Sequence, residues 1–277
     1  MIESVLLAVT RVTTFATETL LTNATGFFFE RDKRLFLVTN RHVALDEPSN
    51  HKPDRFEIDL HIDPANVAKT TNFSVPLYRD GKALWRQGSD AAGLVDVAAL
   101  ELDRGALPKT LLLQAFTPQH LVEQLDAIEV GTSILIVGFP LGFHDTLHGL
   151  PVARHAVIAS SFGVRFQGNG YFLTDARMHR GTSGAPVVAR QKTERPGRGH
   201  LPWLLLGVHA MRLDVTNRDA QLDETLGLNC AWYTDILMTL TAQPKPEAER
   251  KGVVATTTMA PAHPSAPPAV KGRKTAK

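Results

Sequence analysis

Residues 181–188 read GTSGAPVV, and this short stretch does most to decide both the fold and the chemistry. Glycines on both sides of Ser183 allow a tight turn, and Gly181 carries no Cβ that would hinder an oxygen atom approaching its backbone N–H. Such a turn can present a serine nucleophile beside an oxyanion hole formed by the N–H groups of Gly181 and Ser183. The same letters also suit an ordinary glycine turn between strands, so they indicate catalysis only together with partners elsewhere in the chain.

Two other segments supply the groups that a serine nucleophile requires. His42 lies in TNRHV at residues 39–43, directly after an apolar strand pattern, and Asp96 lies in VDVAALEL at residues 95–102. Each has an ordinary explanation when taken alone, as a surface or core histidine and as an aspartate facing water near a strand's start. A carboxylate among apolar strand residues nevertheless requires a cationic or hydrogen-bonding partner. Together the three residues predict a triad in which Ser183 attacks, His42 takes its proton and Asp96 orients His42.

The order of these residues along the chain separates the possible triad types. His42, Asp96 and Ser183 follow the chymotrypsin order, whereas subtilisins have the order Asp, His, Ser and α/β-hydrolases the order Ser, acid, His. Residues 181–185 nearly match the α/β-hydrolase nucleophile elbow, but that elbow requires a helix directly after the serine. Pro186 and a β-branched pair follow instead, which excludes the elbow.

The chain up to residue 242 has the pattern of an all-β protein. Short segments rich in Val, Ile, Phe and Thr alternate with Gly, Pro, Asn and Asp clusters, and helical spacing occurs only at residues 118–125 and 234–242. The predicted strands are residues 4–13, 26–30, 34–39, 56–61, 95–102, 133–139, 152–160, 170–175, 186–189, 204–210 and 228–233. So many short strands suit two packed barrels or sandwiches better than one sheet.

These motifs resemble those of bacterial trypsin-like serine peptidases of the chymotrypsin fold, above all the protease domains of HtrA-like enzymes and the glutamyl endopeptidases. The resemblance covers about residues 1–242 and also includes GFPLG at residues 138–142 and TDA at residues 174–176. It implies two six-stranded β-barrels, approximately residues 1–115 and 126–233, followed by a C-terminal helix at residues 234–242. The site would lie between the barrels, with His42 and Asp96 from the first and Ser183 from the second.

The resemblance also bears on activation and cofactors. Thr182 stands where trypsin-type zymogens carry an aspartate that pairs with a newly cut amino terminus, so activation by terminus insertion is not expected. No metal ion and no organic cofactor is implied. Cys230 is the single cysteine, so the chain cannot form an intrachain disulfide.

A possible specificity pocket follows from the same resemblance. In chymotrypsin-like folds the strand after the nucleophile lines the primary pocket, and here it reads LGVHA at residues 206–210. The Gly207-x-His209 pattern is similar to that of glutamyl endopeptidases and of viral chymotrypsin-like cysteine proteases, where the histidine helps to bind a Glu or Gln side chain before the scissile bond. Arg177 would add positive charge if it points inward, favouring Glu. The alternative is a histidine that only packs at the pocket wall.

Charge and composition limit the remaining functions. Residues 243–277 hold seven Lys and Arg, two Glu and six Pro but no large apolar side chain other than Met259, Val253, Val254 and Val270, which predicts a disordered basic tail. The remainder carries a net charge of −3, which argues against a specific nucleic-acid site, although the tail could contact a polyanion weakly. No apolar run is long enough for a membrane span, and the amino terminus lacks the basic start of a signal peptide, so a cytoplasmic location is expected.

Two functional hypotheses remain open at this point. The first is a serine endopeptidase that acts on protein or peptide substrates through an acyl-enzyme. The second is a catalytically silent module of protease fold that holds a protein partner. The oligomeric state does not follow from the sequence.

Overall fold

The computed structural model describes residues 2–191, 201–210 and 227–243 of the 277 in the chain. Residues Met1–Ala242 form one compact unit. The tail that the sequence predicts to be disordered, residues 243–277, lies outside the described residues except for Gln243. Among the described helices, none is long and apolar enough to cross a membrane.

The amino-terminal half forms a seven-stranded antiparallel sheet. Its strands alternate buried and less buried positions, as in the segment RFEIDLH, where Phe56, Ile58 and Leu60 point into the core. The strands of this half are β1 Val9–Ala16, β2 Thr19–Arg31, β3 Arg34–Thr39, β4 Arg55–His61, β5 Thr70–Pro76, β6 Tyr78–Arg79, β7 Lys82–Ala83, β8 Trp85–Asp90 and β9 Gly93–Leu102. The sheet has the order β5-β4-β1-β2-β3-β9-β8, and β6 pairs only with β7.

The second half forms a six-stranded antiparallel sheet. Its strands are β10 Ser133–Gly138, β11 Val152–Val157, β12 Tyr171–Thr174, β13 Pro186–Arg190, β14 Trp203–Ala210 and β15 Asn229–Tyr233. They follow the order β11-β10-β13-β14-β15-β12. A bridge between Ile158, just after β11, and Thr174 of β12 joins the two edge strands, so this sheet closes on itself.

One apolar cluster joins the two sheets. Phe27, Phe29 and Phe36 of the first sheet are fully buried together with Val188 and Leu205 of the second. Burial of large aromatic and branched side chains on both sides of the seam stabilises the two sheets as one body. The end of β3 and the segment 181–184 therefore meet along this seam.

The carboxy-terminal helix returns to the first sheet. The described residues contain two short α-helices, α1 Arg41–Ala44 and α2 Ile236–Leu240. Three arginines of the first sheet donate to the last carbonyls around α2: Arg31 Nη1 to Met238 O at 2.7 Å, Arg34 Nη1 to Thr241 O at 3.2 Å, and Arg86 Nη1 to Leu240 O at 3.2 Å. These bonds satisfy groups that have no partner within the helix.

A carboxylate lies between two of these arginines. Arg34 Nε donates to Glu101 Oε1 at 2.7 Å, and Arg86 Nη2 lies 3.3 Å from Glu101 Oε2. The hydrogen bond from Arg34 lowers the pKa of Glu101 below its ordinary value. Glu101 therefore remains ionised and keeps both guanidinium groups in place beneath α2.

The structure confirms the all-β prediction and corrects several elements. The helix predicted at residues 118–125 is wrong: residues Pro118–His120 and Leu125–Ala127 form separate 3-10 turns. The ring of His120 accepts the N–H of Thr117 at 2.8 Å, and Leu121 leaves the turn to bridge with Leu205, so no continuous helix can form.

Strand boundaries also differ from the prediction. Residues Ser4–Ala8 form a 3-10 turn, and the first strand begins only at Val9. The sequence pattern missed β5 to β8, because most of their side chains are exposed or half-buried and carry no alternating apolar signal. The first sheet consequently has seven strands where six were expected. The predicted helix at residues 234–242 shortens to Ile236–Leu240.

Candidate active site

His42 and Asp96 form a close pair in the first sheet. His42 lies in α1, which begins two residues after β3 ends, and Asp96 lies in the neighbouring strand β9. His42 Nδ1 is 2.7 Å from Asp96 Oδ2, and the backbone N–H of His42 donates to Asp96 Oδ1 at 2.9 Å. Because a carboxylate only accepts hydrogen bonds, the His42 proton lies on Nδ1 in the neutral ring and Nε2 is left as the basic nitrogen.

Asn40 fixes the strand that carries Asp96. Its side chain is fully buried, and Nδ2 donates to the carbonyl oxygen of Asp96 at 2.7 Å. The Asn40 side chain therefore connects the residue before α1 to the backbone of Asp96. The sequence motif contained Asn40, but its spacing alone gave no sign of this contact.

The Ser183 turn depends on two glycines with left-handed backbone. Gly181 has φ +94° and Gly184 has φ +86°. A Cβ on Gly181 would overlap the carbonyl oxygen of Phe139, and one on Gly184 would overlap Thr25 O and Thr39 Oγ1. Glycine is therefore required here by neighbouring protein atoms, in addition to the access for a substrate oxygen that the sequence suggested.

The segment before Ser183 orients its N–H groups. The N–H of Leu141 donates to Arg180 O at 2.6 Å, and the described backbone contains no cis peptide bond. In a trans peptide the N–H points opposite to the carbonyl, so the N–H of Gly181 faces away from Leu141. Within the described residues neither this N–H nor that of Ser183 has an acceptor, so both are available as donors for a developing oxyanion.

Ser183 and His42 come from segments that meet at Thr39. Gly184 lies against the Cα and Oγ1 of Thr39, three residues before His42, and the N–H of Thr25 donates to Ser183 O at 2.9 Å. Among the described residues, no hydrogen bond joins the Ser183 hydroxyl to the ring of His42. Catalytic hydrogen bonds are often long before substrate binds.

His209 lies directly behind the turn that carries Ser183. Its carbonyl accepts the N–H of Gly184 at 3.0 Å, and its own N–H donates to Ala185 O at 2.8 Å. The ring is fully buried, and neither nitrogen has a hydrogen-bond partner among the described residues. Burial, and secondarily the charge of His42, lower the pKa of His209 from 6.5 to about 3. The imidazole is therefore neutral at physiological pH.

The other two residues predicted for the pocket have different surroundings. Gly207 is buried, and a Cβ at this position would contact the ring of Phe172 at 2.9 Å and Ala231 at 3.0 Å, so the glycine leaves room for core packing. Arg177 is exposed, and its side chain lies against Gly227. No described contact brings either residue to the ring of His209, and their role in substrate binding stays a prediction.

Three residues with contacts in this region escaped the sequence reasoning: Asn40, Leu141 and Thr25. Asn40 and Leu141 fall inside the quoted motifs TNRHV and GFPLG, which marked the segments but not the roles of these side chains and N–H groups. Thr25 belongs to no quoted motif. Its contacts depend on β2 packing beside the Ser183 turn, which only the tertiary structure reveals.

Comparison with known proteins gives a family model that matches part of the chain. The family model for the trypsin-like peptidase domain matches residues 24–193, which include His42, Asp96 and Ser183. No curated protein sequence matches the chain.

Two solved structures are similar to this chain. A scabies mite inactivated protease paralogue has a TM-score of 0.52 and 15% identity, with 86% of this chain and 92% of that chain covered. Because that protein is described as inactivated, the likeness bears on architecture alone, and it identifies the two sheets as a chymotrypsin-type double β-barrel. A serine endoprotease from Yersinia pestis has a TM-score of 0.48 and 17% identity, with 84% of this chain covered. This chain spans 61% of the length of the Yersinia pestis chain.

The family match extends over more than half of the 277 residues and contains all three residues of the predicted triad in the expected order. The protein belongs to the trypsin-like peptidase domain family.

Proposed function

We propose that this protein is a serine endopeptidase with His42, Asp96 and Ser183 as its catalytic triad. The observation that carries the proposal is the double contact between His42 and Asp96, which leaves Nε2 of His42 as the base. A histidine held in this tautomer is what a serine nucleophile requires. The glycine turn at residues 181–184 supports the assignment because the backbone N–H groups of Gly181 and Ser183 have no acceptor in the part of the chain that the structure describes.

In the acylation step, Ser183 Oγ attacks the carbonyl carbon of the scissile peptide bond while its proton passes to His42 Nε2. The carbonyl oxygen becomes an anion, stabilised by the N–H groups of Gly181 and Ser183. Asp96 stabilises the imidazolium that forms. His42 then gives its proton to the leaving amine, the carbon–nitrogen bond breaks, and an acyl-enzyme on Ser183 remains.

Deacylation repeats these steps with water. His42 Nε2 takes a proton from a water molecule whose oxygen attacks the ester carbonyl. The N–H groups of Gly181 and Ser183 again stabilise the oxyanion. The proton then returns from His42 to Ser183 Oγ as the acid product leaves.

A fluorophosphonate probe tests the nucleophile. We expect the wild-type protein to be labelled and Ser183→Ala to remain unlabelled while staying folded. The matched control is Ser133→Ala, because Ser133 also follows a glycine of positive φ, Gly131, and contacts a histidine, His155 Nε2 at 2.8 Å, but is exposed and has no glycine after it. Labelling of Ser183→Ala at the wild-type rate would reject the assignment. A folded wild-type protein that neither reacts nor cleaves peptides would favour the silent binding module.

For specificity, we propose that the protein prefers Glu or Gln before the scissile bond, with His209 as the main recognition group and Arg177 and Gly207 completing the site. The support is the His209 ring, which is fully buried beside the nucleophile turn with both nitrogens unpaired among the described residues. A buried polar group normally has a partner, and a substrate carboxylate or amide oxygen could accept a hydrogen bond from the neutral imidazole. Cleavage of a peptide library tests this: a preference for Lys, Arg or bulky apolar residues before the cut would reject it.

A further inference from the structure

Thr25 makes four hydrogen bonds near the Ser183 turn, and three of them connect the first sheet to the second half of the chain. It lies in β2 and is fully buried. Its backbone N–H donates to Ser183 O at 2.9 Å, and its carbonyl accepts from Thr39 Oγ1 at 2.8 Å. Its hydroxyl donates to Gly181 O at 2.7 Å and accepts from the N–H of Phe139 at 3.1 Å.

The direction of the hydroxyl hydrogen bonds is fixed by their partners. The backbone nitrogen of Phe139 can only donate, so Thr25 Oγ1 must accept there. The single hydroxyl proton is therefore free for Gly181 O, which can only accept. Because both hydrogen bonds of the Thr25 hydroxyl have fixed directions, this buried network has a single arrangement. In that arrangement the hydroxyl holds the Gly181 carbonyl in place.

Both peptide groups that flank Gly181 are held from outside the turn. The carbonyl of Arg180 accepts from Leu141 N, and the carbonyl of Gly181 accepts from Thr25 Oγ1. A glycine with φ +94° has no side chain to resist rotation of these peptides. The two hydrogen bonds therefore restrict the rotation that would turn the Gly181 N–H out of the oxyanion hole.

We propose that Thr25 is a positioning residue that holds the N–H donors of Gly181 and Ser183 in the geometry that stabilises the oxyanion. This inference rests on the proposed serine endopeptidase activity. Thr25 reaches Gly181 by its hydroxyl and Ser183 by its backbone, so it acts on both donors without touching the substrate. Preorganised donors act mainly in the transition state, so loss of the hydroxyl should lower kcat far more than it raises KM.

The side chain of Thr25 suits this role because it is stiff. A Cβ on Gly138 would lie 2.7 Å from Thr25 Oγ1 and 3.3 Å from Cγ2, so the threonine fits against a glycine that leaves just enough room. A β-branched side chain in such a site keeps one rotamer, which fixes the hydroxyl direction. Valine would fill the same space but leave the Phe139 N–H and the Gly181 carbonyl unpaired.

The experiment compares Thr25→Val with Thr14→Val in the full-length protein. Thr14 is a matched control: it is a fully buried threonine of the same hairpin, and its hydroxyl both donates to Thr22 O at 3.3 Å and accepts from Thr22 N at 3.1 Å. Its hydrogen bonds do not reach the Ser183 turn. Removing one oxyanion donor from a serine protease lowers kcat about 10²- to 10³-fold, so we expect a loss on the order of 10- to 100-fold for Thr25→Val, with KM within about threefold of wild type. Thr14→Val should keep the wild-type kcat.

A second readout separates positioning from general damage. A peptide aldehyde adds Ser183 Oγ to its carbonyl carbon, passes the serine proton to His42 and places an oxyanion in the hole, whereas the corresponding peptide alcohol cannot. We expect Thr25→Val to weaken aldehyde binding by roughly the factor lost in kcat and to leave alcohol binding unchanged. Equal weakening of both inhibitors, or unchanged aldehyde binding, would overturn the proposal.

Two further variants keep the test decisive if Thr25→Val does not fold. Thr25→Ser and Thr25→Ala both lack the methyl group and differ only in the hydroxyl, so we expect Thr25→Ser to retain most of the kcat and Thr25→Ala to lose it. Equal kcat values for these two variants would overturn the role of Thr25 while leaving the endopeptidase assignment intact. A wild-type protein without labelling or cleavage would instead overturn the proposed function, and the positioning role with it.

Discussion

Asp96 receives two hydrogen bonds from His42, one from the ring nitrogen Nδ1 at 2.7 Å and one from the backbone N–H at 2.9 Å. The carboxylate therefore holds both the ring and the first turn of α1, so the histidine cannot rotate without breaking a bond to the same group. The side chains of His42 and Asp96 remain 28% and 25% exposed, so both are accessible to solvent. This relationship gives the most direct test of the triad.

Asp96→Asn should lower kcat by about 10⁴-fold with little change in the free energy of unfolding. The amide can still accept the backbone N–H of His42 through its oxygen, so the turn survives. Its NH₂ group, however, faces Nδ1 as a donor and favours the tautomer that carries the proton on Nε2, which cannot act as a base. Steady-state kinetics and urea unfolding measure the two effects. Asp59→Asn is the control, because Asp59 is also a half-buried aspartate of the first sheet and forms an ion pair with Arg11. Similar kinetics for the two variants would argue against the proposed triad.

Gly184→Ala should lower the free energy of unfolding by about 2–4 kcal/mol, because it combines a left-handed φ with overlap against the backbone oxygen of Thr25. Gly81→Ala is the matched control, since Gly81 has φ +71° but no atom within 4 Å of a Cβ. We expect about 1 kcal/mol for this variant, the backbone strain alone. Urea denaturation measures both, and equal losses would mean that the contact with Thr25 contributes nothing.

The buried His209 should make the protein sensitive to acid. Its pKa is about 3 in the folded protein against an ordinary value of 6.5, so between these pH values the unfolded chain binds a proton that the folded protein does not. The free energy of unfolding therefore falls as the pH falls, by up to about 1.4 kcal/mol per pH unit from this group. His209→Leu should reduce the slope between about pH 6 and pH 4.5 by that amount. An unchanged slope in His209→Leu would contradict a neutral buried ring.

Arg177→Gln tests the charge of the proposed specificity pocket. If Arg177 helps to bind the substrate, kcat/KM for a peptide with Glu before the cut should fall on the order of tenfold, while the value for the Gln peptide changes less, because only the carboxylate loses an ion pair. Arg154→Gln, in β11 of the same sheet, is the control. An unchanged Glu to Gln ratio would remove Arg177 from the pocket and leave His209 to be tested alone.

Local sequence was sufficient for the all-β class and for choosing the segments that carry the proposed triad. Ser183 has glycines on both sides, and Asp96 is a charge inside an apolar strand, so both signals lie within a few residues and need no tertiary contact to be noticed. The family model covers the same segments. The strand pattern was clear wherever one face is buried, as at Phe56, Ile58 and Leu60.

Features that depend on tertiary packing did not appear in the sequence pattern. Strands β5 to β8 have too few buried side chains to produce an alternating signal, and the residues at 118–125 have helical spacing but are drawn into turns by the contact between His120 and Thr117. Thr25 looked like any strand threonine, because its partners at Phe139 and Gly181 are more than 100 residues away. The burial of the His209 ring likewise depends on strands that are distant along the chain.

The placement of α2 has a consequence for synthesis at the ribosome. All strands of the first sheet have been synthesised by Leu102. Leu237 and Leu240 of α2, however, pack into the apolar cluster that contains Phe36 and Val95 of this sheet. Arg31, Arg34 and Arg86 of the same sheet donate to carbonyl groups at residues 238–242. Domains generally fold as units during synthesis, but this half of the protein lacks its apolar cover until the last turn of the helix has emerged. His42 and Asp96 therefore lie on a partly uncovered sheet until Ser183 and α2 have been synthesised. A nascent chain would acquire a fully packed candidate site only after nearly all of the compact unit had left the exit tunnel.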